Sequence, residues 1–291
     1  MGMDKNGKKV LETLIWVAAL AGGARVWAQA PAQQQTPPPA QAEKPKDQVE
    51  PLTLTPAAAP VNAEEDAAIK AFREIPNTNA DLEKKIQAGN DFLQKYPTSR
   101  YRTEVYGWLV KGYMSQGNVA KMEAMGEKDL ELNPNDVQIL AILGSAMPRT
   151  IPTLSPDQRE KVLTQAEQYS NKAIELAPTL TKPANMPDDL FIGARNQTLS
   201  MAYSGLGVVA FWRGKYSDAI PNLEKSVKLD PTPDPVNYYV LALSNEKASH
   251  FDDAVSAFTK CAAIQGGLQA TCKQGIEEAR KLGATQLSVP K

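Results

Sequence analysis

Few side chains in this sequence could do covalent or proton chemistry. His250 is the sole histidine. A serine–histidine–acid set would have to use it. A metal site built on it would need partners, and no other histidine or nearby cysteine is there to chelate with it. It sits beside Ser249 and Asp252 ahead of Phe251, where an exposed turn residue is expected. Cys261 and Cys272 are the only cysteines, and their spacing is not that of a redox-active CxxC pair. Carboxylates are plentiful, so an acid pair for hydrolysis or group transfer could be assembled, with the neighbourhood of Glu104 as its place in the N-terminal half. Gly205-Leu206-Gly207-Val208-Val209-Ala210 fits the GxGxxA dinucleotide pattern. That pattern works only between a strand and a helix, and Asn196–Met201 ahead of it reads as helix. The expectation is therefore no catalytic residue, no cofactor and no metal. An acid pair hidden in the N-terminal half is the enzymatic alternative.

The elements that would carry these residues recur. From Tyr203 it is sixteen residues to Ala219, four more to Leu223 and eight more to Pro231. The same steps lead from Tyr238 through Ala254 and Phe258 to Gly266, and from Tyr106 through Met122 and Gly126 to Pro134. A further copy begins at Leu140 and Gly144 and resumes late, at Ala166, Ser170, Ala173 and Pro178. The delay falls at Met147–Pro152, between its two helices, where extra loop length costs little entropy. Within each half-unit apolar residues return every three or four positions, one face of a helix. Small residues (Gly207, Ala219, Ser226) let two backbones approach. Pro231 stops the second helix, since proline disfavours the helical conformation of the residue before it. Asp81–Tyr96, with Pro97 as its stop, reads as the second helix of an earlier partial copy. A second insertion, Thr179–Leu190, precedes an expected long first helix over Asp188–Arg213.

Tyr203…Leu206-Gly207…Tyr216…Ala219-Ile220…Leu223…Asp230-Pro231 resembles the tetratricopeptide repeat family. The resemblance spans Asn62 to Gly283 and is strongest from Ser200 to Gly266. It implies an all-α solenoid of helical hairpins with a concave groove lined by the first helix of each unit. By match, that groove would display Met201, Ser204, Val208, Phe211 and Trp212 from one copy. Val236, Tyr239, Leu243 and Glu246 would come from the next, and Glu104, Lys111 and Met114 from the copy at Thr103. These aromatic and apolar side chains would suit a protein or peptide partner; the other reading is that Phe211 and Trp212 pack inside the stack. The basic-and-asparagine set with which some family members grip a C-terminal carboxylate is absent.

Cys261 occupies the place of Ser226 and Ala173 in the other copies, late in a second helix. Cys272 lies in the following helix, where Tyr203 and Tyr238 lie in theirs. A disulfide across that joint is expected in an oxidising compartment, two buried thiols being the alternative. Leu268, Cys272, Ile276 and Ala279 form one stripe of this last helix, with Lys273, Glu277, Glu278, Arg280 and Lys281 opposite. A half-polar helix of this kind caps an array.

The first sixty residues are not core. Lys5, Lys8 and Lys9 precede the apolar run Leu14–Ala24, followed by small residues at a candidate cleavage point after Ala28, the layout of a secretory signal peptide. The run is short for a spanning helix, and Arg25 interrupts its end; an uncleaved membrane anchor is the alternative. After cleavage 28 Lys+Arg face 31 Asp+Glu, which offers no basic excess for nucleic acid. The expected organisation is a signal peptide (1–28), a Pro/Gln/Ala-rich disordered linker (29–60) and divergent repeats (61–134). A repeat with insertions (135–199), two well-formed repeats (200–267), a capping helix (268–284) and a tail (285–291) follow. The expected product is an exported scaffold, periplasmic or secreted, that meets a membrane only through its signal segment. Its partner would be another protein or peptide held in the groove; the alternative with the same fold is a structural organiser of an envelope complex that works through its ends and tether without groove binding.

Overall fold

The computed structural model describes residues 62–287, so the expected signal peptide, linker and last four residues lie outside the described part of the chain. Among the described residues there are eleven α-helices, two short 3-10 helices and no strand. They divide into two compact units on either side of the Tyr101–Arg102 bond.

The first unit is one hairpin, α1 (Ala63–Glu74) and α2 (Leu82–Lys95). The side chain of Asn62 accepts hydrogen bonds from the Glu64 and Glu65 amides, satisfying donors that the first turn of a helix leaves free. Glu64, Glu65 and Asp66 place negative charge at that positive helix end. Ile69, Phe72, Ile86 and Phe92 form its interior.

The second unit is a stack of four hairpins and a terminal helix. The hairpins are α3 (Arg102–Ser115) with α4 (Val119–Leu132), α5 (Val137–Ala146) with α6 (Pro156–Leu176), α7 (Asp188–Trp212) with α8 (Tyr216–Leu229), and α9 (Pro235–Lys247) with α10 (Phe251–Ala263). α11 (Gln269–Leu287) closes the end. Each helix packs on the next, and α5, α7 and α9 also pack on one another in succession. Two helices per unit, with first helices side by side, is the helical-hairpin array that the repeat spacing predicts.

Local chemistry sets the boundaries. Asp136 caps α5 by accepting from the Gln138 and Ile139 amides, and Asp234 caps α9 by accepting from Val236. Pro156 and Pro235 each take a first-turn position, where the missing N–H costs nothing. Inside three hairpins the chain turns at one equivalent position, eleven residues beyond Tyr106, Tyr203 and Tyr238. Gly117, Gly214 and Ser249 stand there with φ of 69°, 74° and 64°. Met147–Thr153 forms the 3-10 insertion between α5 and α6, its prolines unable to extend a helix. It packs against α4, α5, α6 and α7, and Arg149 Nη1 reaches the cap residue Asp234 at 2.7 Å.

The second helices bury one stripe: Ala219, Leu223 and Ser226 in α8; Ala254, Ala257, Phe258 and Cys261 in α10. The first helices α5 and α9 are buried almost all round, from Ile139 to Ser145 and from Tyr239 to Asn245.

Candidate functional site

The positions matched to a groove are occupied by residues that hold the stack together. Val208, Phe211, Val236, Tyr239 and Leu243 belong to one buried cluster with Ala219, Leu223, Val240 and Phe258, and the half-buried Trp212 packs against it. The Phe211 ring lies 5.6 Å from that of Trp212 and 5.8 Å from that of Tyr216, and Tyr239 faces Phe258 at 6.0 Å. Such pairs stabilise packed aromatic groups beyond simple burial. Ser204 is 1 % exposed and donates to Asn237 Oδ1 at 2.6 Å. Met201 is half-buried against the cluster of Leu140, Ala141, Ala173, Ala177 and Ala202. Glu246 is half-buried; at α3, Glu104 is exposed and Lys111 and Met114 are half-buried. Between the two readings of Phe211 and Trp212, the geometry is that of packing. The sequence carried a signal for it: Val236–Leu243 is apolar on nearly every side, as a helix buried all round must be.

Cys261 and Cys272 are bonded across α10 and α11, with Cα atoms 5.9 Å apart and both residues fully buried. Thiol chemistry is therefore closed off at this joint. Leu268, Cys272 and Ala279 are buried at this end of the stack, while Lys273, Glu277, Glu278, Arg280 and Lys281 are exposed, the division expected of a cap.

Gly205 and Gly207 lie in the middle of α7, where the GxGxxA pattern has no strand before it. Both mark close helix contacts instead. A Cβ on Gly205 would stand 2.4 Å from the Gly144 carbonyl oxygen, and one on Gly207 2.5 Å from Leu223 Cγ. His250 is exposed at the start of α10. Among the described residues no group of three His, Cys, Asp or Glu could hold a metal ion, and no helix is long and apolar enough to cross a membrane.

The carboxylates that stand out lie on α4, and not on α3, the helix that carries Glu104. Asp129 in α4 is fully buried, and neither of its oxygens has a hydrogen-bond partner. Burial, and then the nearby Asp136 carboxylate, push its carboxyl up to about 7 against the pull of Lys111. A general acid must reach its substrate, and Asp129 has no exposed surface. Glu123 and Glu127 lie one turn apart on α4; burial, then Glu127, raises the Glu123 carboxyl, while Lys161 lowers it. Gln165 donates to Glu127 at 3.0 Å and to the Tyr169 hydroxyl at 2.9 Å. Lys161, Gln165 and Tyr169 border an open recess of about 470 Å³ along α6.

Arg213, which ends α7, bridges back to α6. Its Nη1 meets Glu167 and its Nη2 meets Glu160, each at 2.7 Å. Beside it Glu167, Asn171, Leu206, Val209 and Asp218 border a recess of about 150 Å³, below the size of ordinary small-molecule sites. Local spacing carries no sign of this clasp, because its partners lie far apart in the chain.

No family model matches the sequence, and no curated protein matches it. Among solved structures, the crystal structure of a thermophilic TPR protein of Thermus thermophilus is similar to this chain at 15% identity and a TM-score of 0.46, over 77% of this chain and 100% of that one.

Proposed function

We propose that this chain is a non-catalytic scaffold that engages another protein in the cell envelope through the surface of its hairpin stack. The observation that carries this reading is the burial of Phe211, Tyr239 and Leu243 in the one cluster that runs through the last two hairpins. Anchors buried in the array make it rigid and leave recognition to its outward, mostly polar faces. Stacked hairpins offer an extended surface of this kind. Export rests on the basic–apolar–small layout of residues 1–28.

Cross-linking mass spectrometry on the tagged full chain in envelope preparations tests the reading. Cross-links from a partner should fall on exposed positions of α3–α10. A Tyr239→Ala variant should lose partner only in proportion to the folded protein it loses. Recovery of nothing beyond a tag-only control would overturn the scaffold. A Tyr239→Ala variant of unchanged stability that loses its partner would restore capture in an aromatic groove.

A further inference from the structure

The joints between hairpins use one equivalent position near the end of each second helix. Ala173 fills it with a methyl group. Ser226 fills it with a hydroxyl that accepts from Asn237, eleven residues later, at 3.1 Å. Cys261 fills it with a sulfur bonded to Cys272, again eleven residues later. Asp129 is the fourth member of the set. The residue at the same distance from it is Leu140, buried and apolar. A carboxyl group thus sits at a dry joint where its counterparts have a partner or need none.

The charges around it offer little compensation. Lys111 reaches the region from α3, and burial lowers its own pKa. Asp136, at the start of α5, is an acid already occupied by the Gln138 and Ile139 amides. From α6, Lys172 ends on the Pro134 carbonyl oxygen at 2.7 Å. An ionised carboxylate buried without donors is costly, whereas the protonated form is tolerated.

We propose that Asp129 makes the joint between the α3–α4 and α5–α6 hairpins proton-operated: closed when the carboxyl holds its proton, loosened when it ionises. The sign follows from linkage. Burial and Asp136 raise the folded-state pKa to about 7, above the ordinary carboxylate value. The folded chain then binds more protons than the unfolded one over the interval between them, and stability falls as pH rises through it. The device acts within the hairpin stack whether or not the scaffold reading holds.

The test is urea unfolding of the full chain, wild type and Asp129→Asn, at pH 5 and pH 8. Asparagine has the shape of the protonated acid and cannot ionise. The wild-type unfolding constant should rise between the two pH values about a hundredfold more than that of the variant. Hydrogen-exchange protection of α4 and α5, corrected for intrinsic rates, should fall at pH 8 in the wild type alone. Equal pH dependence in the two proteins, or equal protection, would overturn the proposal. The carboxyl ¹³C shift of Asp129 in the wild type supplies a reading that needs no variant. A midpoint near neutrality supports the device, and one near pH 4 refutes it.

Discussion

Asn237 in α9 donates its Nδ2 to Ser226 Oγ in α8 at 3.1 Å, inside a region closed to water. Ser204 of α7 donates to Asn237 Oδ1, and Ser200 of α7 donates to the Ser226 carbonyl oxygen at 2.9 Å. Three helices are thus tied by polar groups at a place where hydrophobic contact alone would leave their register free. Each group satisfies another, so removing one strands the next. Ser226→Ala leaves the Asn237 amide without its acceptor and should cost about 1–3 kcal/mol. A double-mutant cycle with Asn237→Ala in urea unfolding should return a coupling of at least about 0.5 kcal/mol. Additive losses would show that the two side chains do not act together.

The crossing of α5, α6 and α7 depends on missing side chains. A Cβ on Gly144 would lie 2.3 Å from Ser170 Oγ and 3.0 Å from the Ser170 amide nitrogen. One on Gly205 would lie 2.4 Å from both Ser170 Oγ and the Gly144 carbonyl oxygen. Alanine favours helix over glycine by up to about 1 kcal/mol, but the backbone clash opposes it. Gly205→Ala should destabilise by about 1–3 kcal/mol or more. Ser170→Ala should relieve Gly144→Ala in part, its remaining backbone neighbours standing at 3.0 Å or more, and Gly205→Ala hardly at all, because the Gly144 carbonyl oxygen still stands 2.4 Å from that Cβ. Thermal unfolding of the two double variants distinguishes these outcomes.

How much of this was legible depends on the range of the interaction. The repeat offsets from Tyr203 and Tyr238 located hairpins and their turns, and the stripe of Leu268, Cys272, Ile276 and Ala279 located the capping helix, because both reflect local periodicity. The long first helix expected over Asp188–Arg213 is observed as Asp188–Trp212. Cys261 and Cys272 could be paired because both lie at repeat positions. The fate of Phe211 and Tyr239 was harder to read, since an apolar stripe looks the same whether it faces a partner or a neighbouring hairpin. Asp129 was hidden for a related reason. Its place in the repeat is visible in the sequence, but its lack of donors is a property of the packed joint.

At the turn of the last hairpin, Ser249 holds φ at 64° where Gly117 and Gly214 hold 69° and 74°. Side chains with a Cβ pay roughly 1–2 kcal/mol in the left-handed region. Ser249→Gly should therefore raise stability by about 1 kcal/mol, net of the greater chain entropy of glycine. Gly214→Ala, in open space but at the same kind of φ, should lower it by a similar amount. Calorimetry on both variants checks the pair; a destabilised Ser249→Gly would mean that the serine side chain supports the turn.

The bond between Cys261 and Cys272 closes a short loop at the end of the stack. In the chain-entropy picture a loop of this length stabilises by about 3 kcal/mol. Replacing both cysteines with alanine should lower stability by about that much, and hydrogen exchange should rise first in α10 and α11. Unreduced peptide mapping should recover the two residues linked. Two free thiols, or an unchanged melting temperature in the double variant, would contradict this account.

Arg213 should link stability to acid. Its hydrogen bond holds the Glu160 carboxyl below the ordinary value, with desolvation opposing. A lowered folded-state pKa means that the contribution is present above the ordinary carboxylate range and is lost as pH falls through the lowered value. Glu160 is two-thirds exposed, so solvent and salt screen the pair strongly. Arg213→Met, which keeps the stem and removes the charge, should cost about 1 kcal/mol at neutral pH and low salt. The loss should shrink in 1 M salt and again below pH 4. A penalty that persists unchanged under both conditions would assign the role of Arg213 to its aliphatic packing against α6 and not to its ion pairs.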